Sequence, residues 1–287
     1  MRPGPALLTF PNYRDAMATI FGAEQARAWI AVPGPDDDKY SRGVVGFATG
    51  SARYPGAAVL GVEAALRTGV GMVRYLGAGR PTRLVLQRRP EAVTAEGRVQ
   101  AWVVGSGQDP DALDEYSATM RDRALADAVP TVVDAGALGM LERARGTRVL
   151  VPHAGELARL LGTGRDAVTA DAAGAALAAA ARFDAIVLLK GHTTYVADPD
   201  GGLIDVTCAP TWTATAGAGD ALAGVLGALL ATHSLELAAD AGTAAPLAAT
   251  AAVLHGLAAE RASRGGPFTV LELCAELPGV VREVLGG

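Results

Sequence analysis

The sequence places an aspartate in a glycine-rich turn just before an apolar, helix-forming stretch. The turn reads Thr-Ala-Gly-Ala-Gly-Asp over residues 215–220, and the stretch covers residues 221–231. The amide N–H groups at a helix start attract an anion, and glycine lets that anion approach the backbone. Asp220 could therefore take a proton from a hydroxyl during phosphoryl transfer while the amides of Gly217 and Gly219 hold the developing charge. The alternative is an ordinary aspartate in the first turn of a helix.

A second motif follows the apolar, strand-like run at residues 185–189. Its members are Lys190, Gly191, His192, Thr193 and Thr194. A lysine at a strand end suits a nucleotide phosphate, a glycine lets the phosphate approach the backbone, and threonine hydroxyls can donate hydrogen bonds. Only Lys39 and Lys190 are lysines among the 25 basic residues, so a lysine at this place favours a functional role. The alternative is a lysine that extends from the strand into solvent.

A third motif contains His153 and Glu156 and follows a strand-like run at residues 149–151. The two side chains share one face if a helix starts there. The glutamate could orient a magnesium-bound water, and the histidine could contact a substrate. The alternative is a capping arrangement at a helix N-terminus. Glycines at 105–107 and 50–56 are weaker signals, because strand-to-loop turns need glycine anyway.

Short apolar runs alternate with helix-forming runs, which predicts βαβ units and a mostly parallel sheet flanked by helices. Strands are predicted at 44–49, 72–76, 84–86, 101–104, 131–133, 149–151 and 185–189, with a hairpin over 194–206. Helices are predicted at 57–67, 111–128, 169–181 (with Thr169 as N-cap), 221–231 and 246–262. Because such sheets bind ligands at the carboxyl ends of their strands, the three motifs are expected to share one crevice.

The composition excludes several classes of protein. Half of the 287 residues are apolar and 19% are charged, which indicates a large folded core. A net charge of −5 argues against nucleic acid as a partner. Two cysteines, Cys208 and Cys274, make neither a disulfide framework nor a zinc site. We see no secretory signal, and the apolar runs at 221–231 and 244–254 are too short for a bilayer, so we expect a cytoplasmic protein with no membrane partner.

Taken in chain order, the motifs resemble the ADP-dependent NAD(P)H-hydrate dehydratase family, a branch of the ribokinase-like fold. The resemblance covers about residues 39–285, and the order of the motifs is far more specific than any one of them. It implies a ribokinase-like three-layer sandwich at residues 39–287, after an N-terminal extension at residues 1–38. The matching segments are 39–43, 50–51, 54–57, 65–71, 104–107, Asp134, 152–156, 190–194 and 217–220.

The resemblance implies repair of NADH and NADPH that have been hydrated on the nicotinamide ring. Asp220 would deprotonate the C6 hydroxyl, whose oxygen would take the terminal phosphoryl group of ADP, or of ATP as in eukaryotic relatives, before phosphate leaves. Mg²⁺ would bridge phosphate oxygens, with Glu156 near it through water. Besides Asp220, the residues implied to contact the hydrate are Ala57, Gly107 and His153. The residues assigned to the nucleotide are Lys190, Gly191, His192, Thr193, Thr194, Gly217 and Gly219.

The sequence departs from the family pattern in the loop that follows residues 101–104. Ser106 stands where the family has proline, and 107–109 stand where it has Gly-Leu-Gly. Gly136 replaces a second aspartate, and His192 replaces a small residue. The epimerase domain often fused to the family is not recognised, so a separate epimerase is implied. The family's tetramers imply a homo-oligomer.

Two other functions stay open at this point. A small-molecule kinase of the thiazole or pyridoxal type would have the same fold and use Asp220 in the same way. Residues 153–156 and Lys190 match the dehydratase better. A non-catalytic nucleotide-binding regulator is the second alternative, and Asp220 argues against it. The preference for ADP or ATP, and for hydrated NADH or NADPH, is left open.

Overall fold

A nine-stranded sheet runs through the centre of the structure, a computed structural model that describes residues 18–109 and 111–287. The strands are β1 (Thr19–Ile20), β2 (Val44–Ala48), β3 (Met72–Tyr75), β4 (Ala101–Val104), β5 (Thr131–Val133), β6 (Arg148–Leu150), β7 (Ile186–Leu189), β8 (Thr194–Ala197) and β9 (Leu203–Val206). Their order is β1-β9-β8-β7-β6-β5-β4-β2-β3. Strand β8 is antiparallel to both neighbours, and the other pairs are parallel.

Helices follow most of the strands, as βαβ units require. They are α1 (Ala23–Ala26), α2 (Pro55–Thr68), α3 (Gly79–Arg88), α4 (Glu115–Ala126), α5 (Ala154–Leu161), α6 (Arg165–Ala170), α7 (Ala172–Phe183), α8 (Ala218–Thr232), α9 (Ser234–Ala239), α10 (Ala244–Ser263) and α11 (Val270–Val284). Short 3₁₀ turns lie at Arg27–Trp29, Ala135–Arg143, Thr211–Thr213 and Ala241–Thr243.

Both faces of the sheet are covered, because alternate residues of a strand point to opposite sides. Val45 and Phe47 of β2 belong to the core that includes α2, α8, α10 and α11. Val44 and Ala48 of the same strand belong to the core that includes α4, α5 and α7. The helix–sheet–helix arrangement confirms the predicted three-layer α/β fold with its mostly parallel sheet.

Helices α2 and α8 approach each other at glycines. A Cβ added to Gly224 in α8 would overlap the carbonyl oxygen of Gly61 in α2. A Cβ added to Gly61 would lie 3.4 Å from the carbonyl oxygen of Asp220 and 3.1 Å from the ring of Phe47. This close packing holds the first turn of α8 over the carboxyl end of β2.

A buried carboxylate joins α2 to α3. The side chain of Glu63 is fully buried and accepts hydrogen bonds from three arginines. Arg67 Nε and Arg89 Nη2 each lie 2.6 Å from Oε1, and Arg88 Nη2 lies 3.2 Å from it. Burial raises the pKa of Glu63, but the hydrogen bonds from Arg89, Arg67 and Arg88 outweigh burial and lower it to about 2. The cluster is therefore charged at neutral pH and ties the two helices together.

The predicted strand at 84–86 is wrong, because these residues lie inside α3. Three consecutive apolar residues suit a strand or a helix equally well. In the structure Val85 is buried while Leu86 is 37% exposed. Val85 and Pro81, which lies four residues earlier, are both buried. This spacing places them on one face of a helix.

Two predicted helices begin elsewhere than expected. The helix predicted at 111–128 begins later, because Asp114 Oδ1 accepts the N–H of Ser117 at 3.0 Å and caps α4. The helix predicted at 169–181 is divided into α6 and α7. Asp171, and not Thr169, caps α7. The remaining predicted strands and helices are present, with ends shifted by a few residues.

Helix α10 extends beyond the apolar run at 244–254 that the sequence shows. Residues Ala241–Ser263 are long and apolar enough, by length and composition alone, to cross a membrane, which corrects the expectation that this run is too short. However, 78% of its most apolar window is buried inside the protein. That burial is typical of a core helix, and α10 packs against α8 and α11.

The predicted N-terminal extension, residues 1–38, is described from residue 18 onward. Within it, β1 pairs in parallel with β9, and Ala26 of α1 is fully buried. Helix α1 contacts α10. The described part of this segment therefore packs on the domain, and the boundary at residue 39 stays a prediction.

The close contact between α2 and α8 predicts that adding one methyl group lowers the stability of the protein. Gly224→Ala is expected to lower the free energy of unfolding by about 1–3 kcal/mol, because the new Cβ overlaps backbone that cannot move aside. The control is Gly56→Ala in α2, where a Cβ would meet no atom within 4 Å. Urea unfolding measures both, and a Gly224→Ala protein as stable as the control would contradict the close packing.

Candidate active site

The carboxyl ends of β5 and β7 bring an aspartate and a lysine into contact. Lys190 Nζ lies 2.9 Å from Asp134 Oδ1. The other carboxylate oxygen, Oδ2, accepts a hydrogen bond of 2.8 Å from Ser106 Oγ, which follows β4. Asp134 and Ser106 are both 2% exposed. Since each oxygen of Asp134 has a partner, this carboxylate is fixed and holds the lysine ammonium in place.

Lys190 faces further carboxylates from neighbouring elements. Its Nζ lies 3.9 Å from Glu156 Oε2, and its backbone N–H donates to Pro152 O at 2.9 Å. Burial lowers the pKa of Lys190, but the charges of Asp134, Glu156 and Asp220 outweigh burial and raise it. The lysine is therefore an ammonium at neutral pH, in a pocket with more negative than positive charge.

Asp220 lies in the first turn of α8, whose N-cap residue is Gly217. Gly217 has φ of 93°, a left-handed conformation that favours glycine, and a Cβ there would overlap Leu60. A Cβ added to Gly219 would lie 3.3 Å from Lys190 Nζ, so the helix start and the ammonium are neighbours. Burial, together with the charge of Asp134, raises the pKa of Asp220 to about 7, although the charge of Lys190 opposes both. Asp220 can therefore accept and release a proton near neutral pH.

A buried histidine, His255, contacts the first turn of α8. His255 Nε2 in α10 lies 2.9 Å from the carbonyl oxygen of Ala218, so Nε2 carries the hydrogen and donates it. Burial lowers the pKa of His255 to about 4, and the ring is neutral. His255 is 6% exposed and is therefore a core histidine.

His153 and Glu156 form a capping box at the start of α5. His153 Nδ1 accepts the N–H of Gly155 at 3.0 Å, and Glu156 Oε2 accepts the N–H of His153 at 2.8 Å. The capping alternative is thus present. The cap does not use every polar atom of His153. The side chain is more than half exposed, and its Nε2 carries the proton when Nδ1 accepts.

The structure brings Ala57 and Gly107 together. Gly107 has φ of 64°, and a Cβ there would overlap the methyl group of Ala57. The loop after β2 and the loop after β4 are joined because Gly50 N–H donates to Ser106 O at 2.7 Å. Ala57 and Gly107, two of the residues implied to contact the hydrate, therefore lie next to each other. We call residues 50–57 together with 105–109 the substrate loops.

Two positions that depart from the family pattern, Gly136 and Gln108, are in contact. A Cβ on Gly136 would overlap the backbone carbonyl of Gln108, so no larger residue fits there while the loop keeps this path. The Gln108 side chain is 7% exposed, and its Nε2 donates to Ala48 O at 3.1 Å. Within the described residues its Oε1 has no hydrogen-bond partner. The backbone path at Gln108 therefore requires glycine at position 136.

The residues after Lys190 form the turn between β7 and β8. Gly191 and His192 are exposed, while Thr193 and Thr194 are half-buried. Thr193 Oγ1 accepts a hydrogen bond of 3.0 Å from Thr207 Oγ1 across the hairpin. These four residues directly follow the lysine in the chain, and Gly191 and His192 lie at the surface.

The carboxylates of the site suit a magnesium ion that arrives with phosphate groups. Across residues 18–109 and 111–287, no group of three His, Cys, Asp or Glu side chains is arranged to hold a metal. Asp134 is held by Lys190 and Ser106, which leaves Glu156 and Asp220 as oxygen ligands through water. Mg²⁺ commonly binds through one or two carboxylates, several waters and substrate phosphates, so the residues fit that form of binding.

The motifs predicted to share one crevice do so. Lys190, Asp134, Glu156 and the start of α8 form one cluster of charges, and the substrate loops adjoin it through Ser106. The sequence marks Asp134 only as a position that matches the family, and its pairing with Lys190 was not predicted. The available signal was that both residues directly follow strands of the same predicted sheet.

Comparison with known proteins identifies the family. Residues 45–274 match the family model Carb_kinase, described as NAD(P)H-hydrate dehydratase. The chain belongs to this family. An ADP/ATP-dependent NAD(P)H-hydrate dehydratase from Bacillus subtilis, co-crystallised with ATP and Mg²⁺, superposes with a TM-score of 0.82 at 26% identity, covering 93% of this chain and 99% of that one. The predicted ribokinase-like fold is confirmed.

Two curated relatives of the NAD(P)H-hydrate dehydratase family differ in length. An ADP-dependent (S)-NAD(P)H-hydrate dehydratase from Xanthomonas campestris is 34% identical over 300 residues, covering 96% of this chain and 98% of its own. A bifunctional NAD(P)H-hydrate repair enzyme Nnr from Mycobacterium tuberculosis is 44% identical over 226 residues, covering 74% of this chain. The match spans only 46% of the mycobacterial protein, so the chain corresponds to about half of that relative.

The raised pKa of Asp220 makes stability depend on pH. The folded protein disfavours the carboxylate, so folding loses stability as pH rises from the ordinary aspartate pKa of 3.8 to about 7. Asp220→Asn removes this loss. The melting temperature of Asp220→Asn is therefore expected to exceed that of the parent by more at pH 8 than at pH 5.5. The exposed Asp200→Asn serves as control, and an equal difference at both pH values would exclude the raised pKa.

Proposed function

We propose that this protein converts hydrated NADH and NADPH back to the dinucleotides, using ADP and releasing AMP and phosphate. The observation that carries the proposal is the carboxylate of Asp220, with a pKa near 7, at a helix start beside the Lys190 ammonium. A base that changes charge near neutral pH suits removal of a hydroxyl proton. The names of the relatives and the family match support the same reaction.

Asp220 would act in the first half of the reaction. It removes the proton of the C6 hydroxyl while the oxygen bonds to the terminal phosphorus of ADP, and the bond to AMP breaks. In the second half the C6–O bond breaks, phosphate leaves with the bonding electrons, and the ring nitrogen stabilises the positive charge. Loss of the C5 proton restores the C5=C6 double bond. Phosphorylation is needed because hydroxide is a poor leaving group and phosphate a good one.

Charge around Asp220 would position the nucleotide. Lys190 is a compact cation held by Asp134, and it lies next to the backbone of Gly219. An ammonium and a helix start together favour phosphate oxygens. The segment 191–194, which is exposed at Gly191 and His192, adds N–H and hydroxyl donors next to them. We therefore assign Lys190, residues 191–194, Gly217 and Gly219 to the nucleotide.

The hydrate would lie on the other side of Asp220. Ala57 and Gly107 lie in contact at the start of α2, and we assign both to the hydrate. His153 offers its Nε2 hydrogen at the end of β6. Mg²⁺ would supply charge neutralisation between phosphate oxygens, with Glu156 holding one of its waters.

Several finer parts of the proposal rest on the family alone. We propose a homo-oligomer, a tetramer as in the family, together with a separate epimerase as functional partner and a cytoplasmic location. The net charge of −5 supports small molecules rather than nucleic acid as ligands. Each of these stays a prediction.

The direct test adds enzymatically hydrated NADH, ADP and magnesium to the protein and follows absorbance at the reduced-nicotinamide band. Absorbance is expected to return, with AMP and phosphate formed in equal amounts. ATP replaces ADP in a parallel assay. Failure with both nucleotides, together with phosphorylation of a thiazole or pyridoxal precursor, would show a small-molecule kinase instead.

Asp220 is expected to be required for turnover. Asp220→Asn keeps the size of the side chain but cannot accept the proton, so turnover should fall by about 10²–10⁴-fold. Nucleotide binding, measured by calorimetry, should be kept. The control is Asp200→Asn in the β8–β9 turn, and normal turnover by Asp220→Asn would eliminate this residue as the base.

The two lysines provide a matched pair for the phosphate role. Lys190→Ala is expected to weaken ADP binding more than binding of the hydrate, because the ammonium faces the nucleotide side of the helix start. Lys39→Ala removes an exposed lysine and should change neither. Circular dichroism checks folding, and equal loss of both ligands by a folded Lys190→Ala protein would contradict the assignment.

A further inference from the structure

The hydroxyl of Ser106 holds the second carboxylate oxygen of Asp134. Ser106 Oγ lies 2.8 Å from Asp134 Oδ2, while Lys190 Nζ lies 2.9 Å from Oδ1. An ionised carboxylate only accepts hydrogen bonds, so the serine hydroxyl is the donor. Ser106 and Asp134 are each 2% exposed, so water has little access to this bond. A buried donor and a buried acceptor are therefore matched to each other at this position.

The ammonium of Lys190 needs support from outside its own side chain, because it ends a flexible chain of four carbons. Asp134 Oδ1 is the nearer carboxylate oxygen, and Glu156 Oε2 lies 3.9 Å away. An aspartate carboxylate rotates easily about its last torsion angle. A hydrogen bond to Oδ2 restricts this rotation, and it therefore restricts where Oδ1 can hold the ammonium. Ser106 thus acts on Lys190 without touching it.

Backbone hydrogen bonds hold the serine itself. Gly50 N–H donates to Ser106 O at 2.7 Å, which joins the two substrate loops. Gly105 N–H donates to Ala48 O at 3.3 Å, at the end of β2. Gly136 N–H donates to Gly105 O at 3.3 Å, next to the strand that ends at Asp134. The hydroxyl therefore extends from a fixed backbone, and an alanine at position 106 can keep every one of these bonds.

We propose that Ser106 is a positioning residue for the nucleotide, which acts through Asp134 to keep the Lys190 ammonium where the phosphates of ADP bind. The inference rests on the proposed function, which assigns Lys190 to the nucleotide. Ser106 belongs to the substrate loops and precedes Gly107, which is assigned to the hydrate. Proline, the residue of the family pattern at this position, has no hydroxyl to donate. One loop of this chain therefore serves both ligands, the hydrate through Gly107 and the nucleotide through Ser106.

The first test removes only the hydroxyl. Ser106→Ala is expected to raise the dissociation constant of ADP about tenfold in the presence of Mg²⁺, the lower end of the effect of partners that orient a binding group. The KM for ADP should rise with it. The KM for hydrated NADH should stay the same, because the backbone of the substrate loops is kept. A loss of general structure would instead weaken both ligands.

Ser263→Ala is the matched control. Ser263 is 6% exposed, and its Oγ donates to Gly266 O at 2.7 Å near the end of α10. The substitution removes a buried hydroxyl with a hydrogen bond of similar length, but one that has no link to Lys190. Both KM values and the dissociation constant of ADP are expected to equal those of the parent.

A double-mutant cycle separates positioning from a structural role. ADP binding is compared for the parent, Ser106→Ala, Lys190→Ala and the double variant. Nuclear magnetic resonance of ADP is the method, because it still measures millimolar dissociation constants. If the serine acts through the lysine, Ser106→Ala has no further effect once Lys190 is replaced. An equal loss in both backgrounds, or unchanged ADP binding by Ser106→Ala, would overturn the inference.

A second variant covers the case in which Ser106→Ala does not fold, which circular dichroism detects. Ser106→Cys keeps a similar volume and has only a weak S–H donor, so it should also weaken ADP and not the hydrate. The binding measurement separates this inference from the reaction. A parent protein that does not dehydrate hydrated NADH, but binds ADP in a manner that depends on Ser106 and Lys190 together, would overturn the reaction alone. A parent protein that binds no ADP would overturn both.

Discussion

The site depends on one lysine ammonium placed among carboxylates. Lys190 touches Asp134, lies near Glu156 and acts on the charge of Asp220. Buried carboxylates repel each other, and a single cation cannot neutralise all of them. Burial, reinforced by the charge of Asp134, raises the pKa of Asp220 to about 7, while Asp134 is held by the lysine and by Ser106. The same ion pair therefore keeps the lysine charged for a phosphate and leaves Asp220 able to exchange a proton.

The electrostatic arrangement works only if the first turn of α8 stays in place. Gly217 begins the helix in a left-handed conformation, and Gly224 lets α8 rest directly on α2. His255 donates to the carbonyl oxygen of Ala218 from the far side. A neutral histidine is suited to this position, because a charged ring would add a second cation near Lys190. Backbone contacts, not side-chain bulk, thus determine where the carboxylate lies.

The sequence predicted the sheet well because its central strands are buried on both faces and are therefore uninterrupted apolar runs, as at 101–104 and 186–189. The predicted strand at 84–86 was wrong, because three apolar residues are too few to distinguish the spacing of a strand from that of a helix. The strand-end clustering of site residues followed from topology. The pairing of Asp134 with Lys190 did not, because the two lie 56 residues apart and meet only through the order of β5, β6 and β7. Such a contact depends on strand order, which local patterns do not contain.

Helix α2 connects the parts of the site that lie farthest apart. Its first turn contains Ala57, its middle contacts α8 through Gly61, and the buried Glu63 binds Arg88 and Arg89 at the end of α3. Because the pKa of Glu63 is about 2, this attachment persists at any pH at which the protein would work. A movement of α2 would displace the substrate loops, the base and α3 together. The three regions therefore keep a constant spacing.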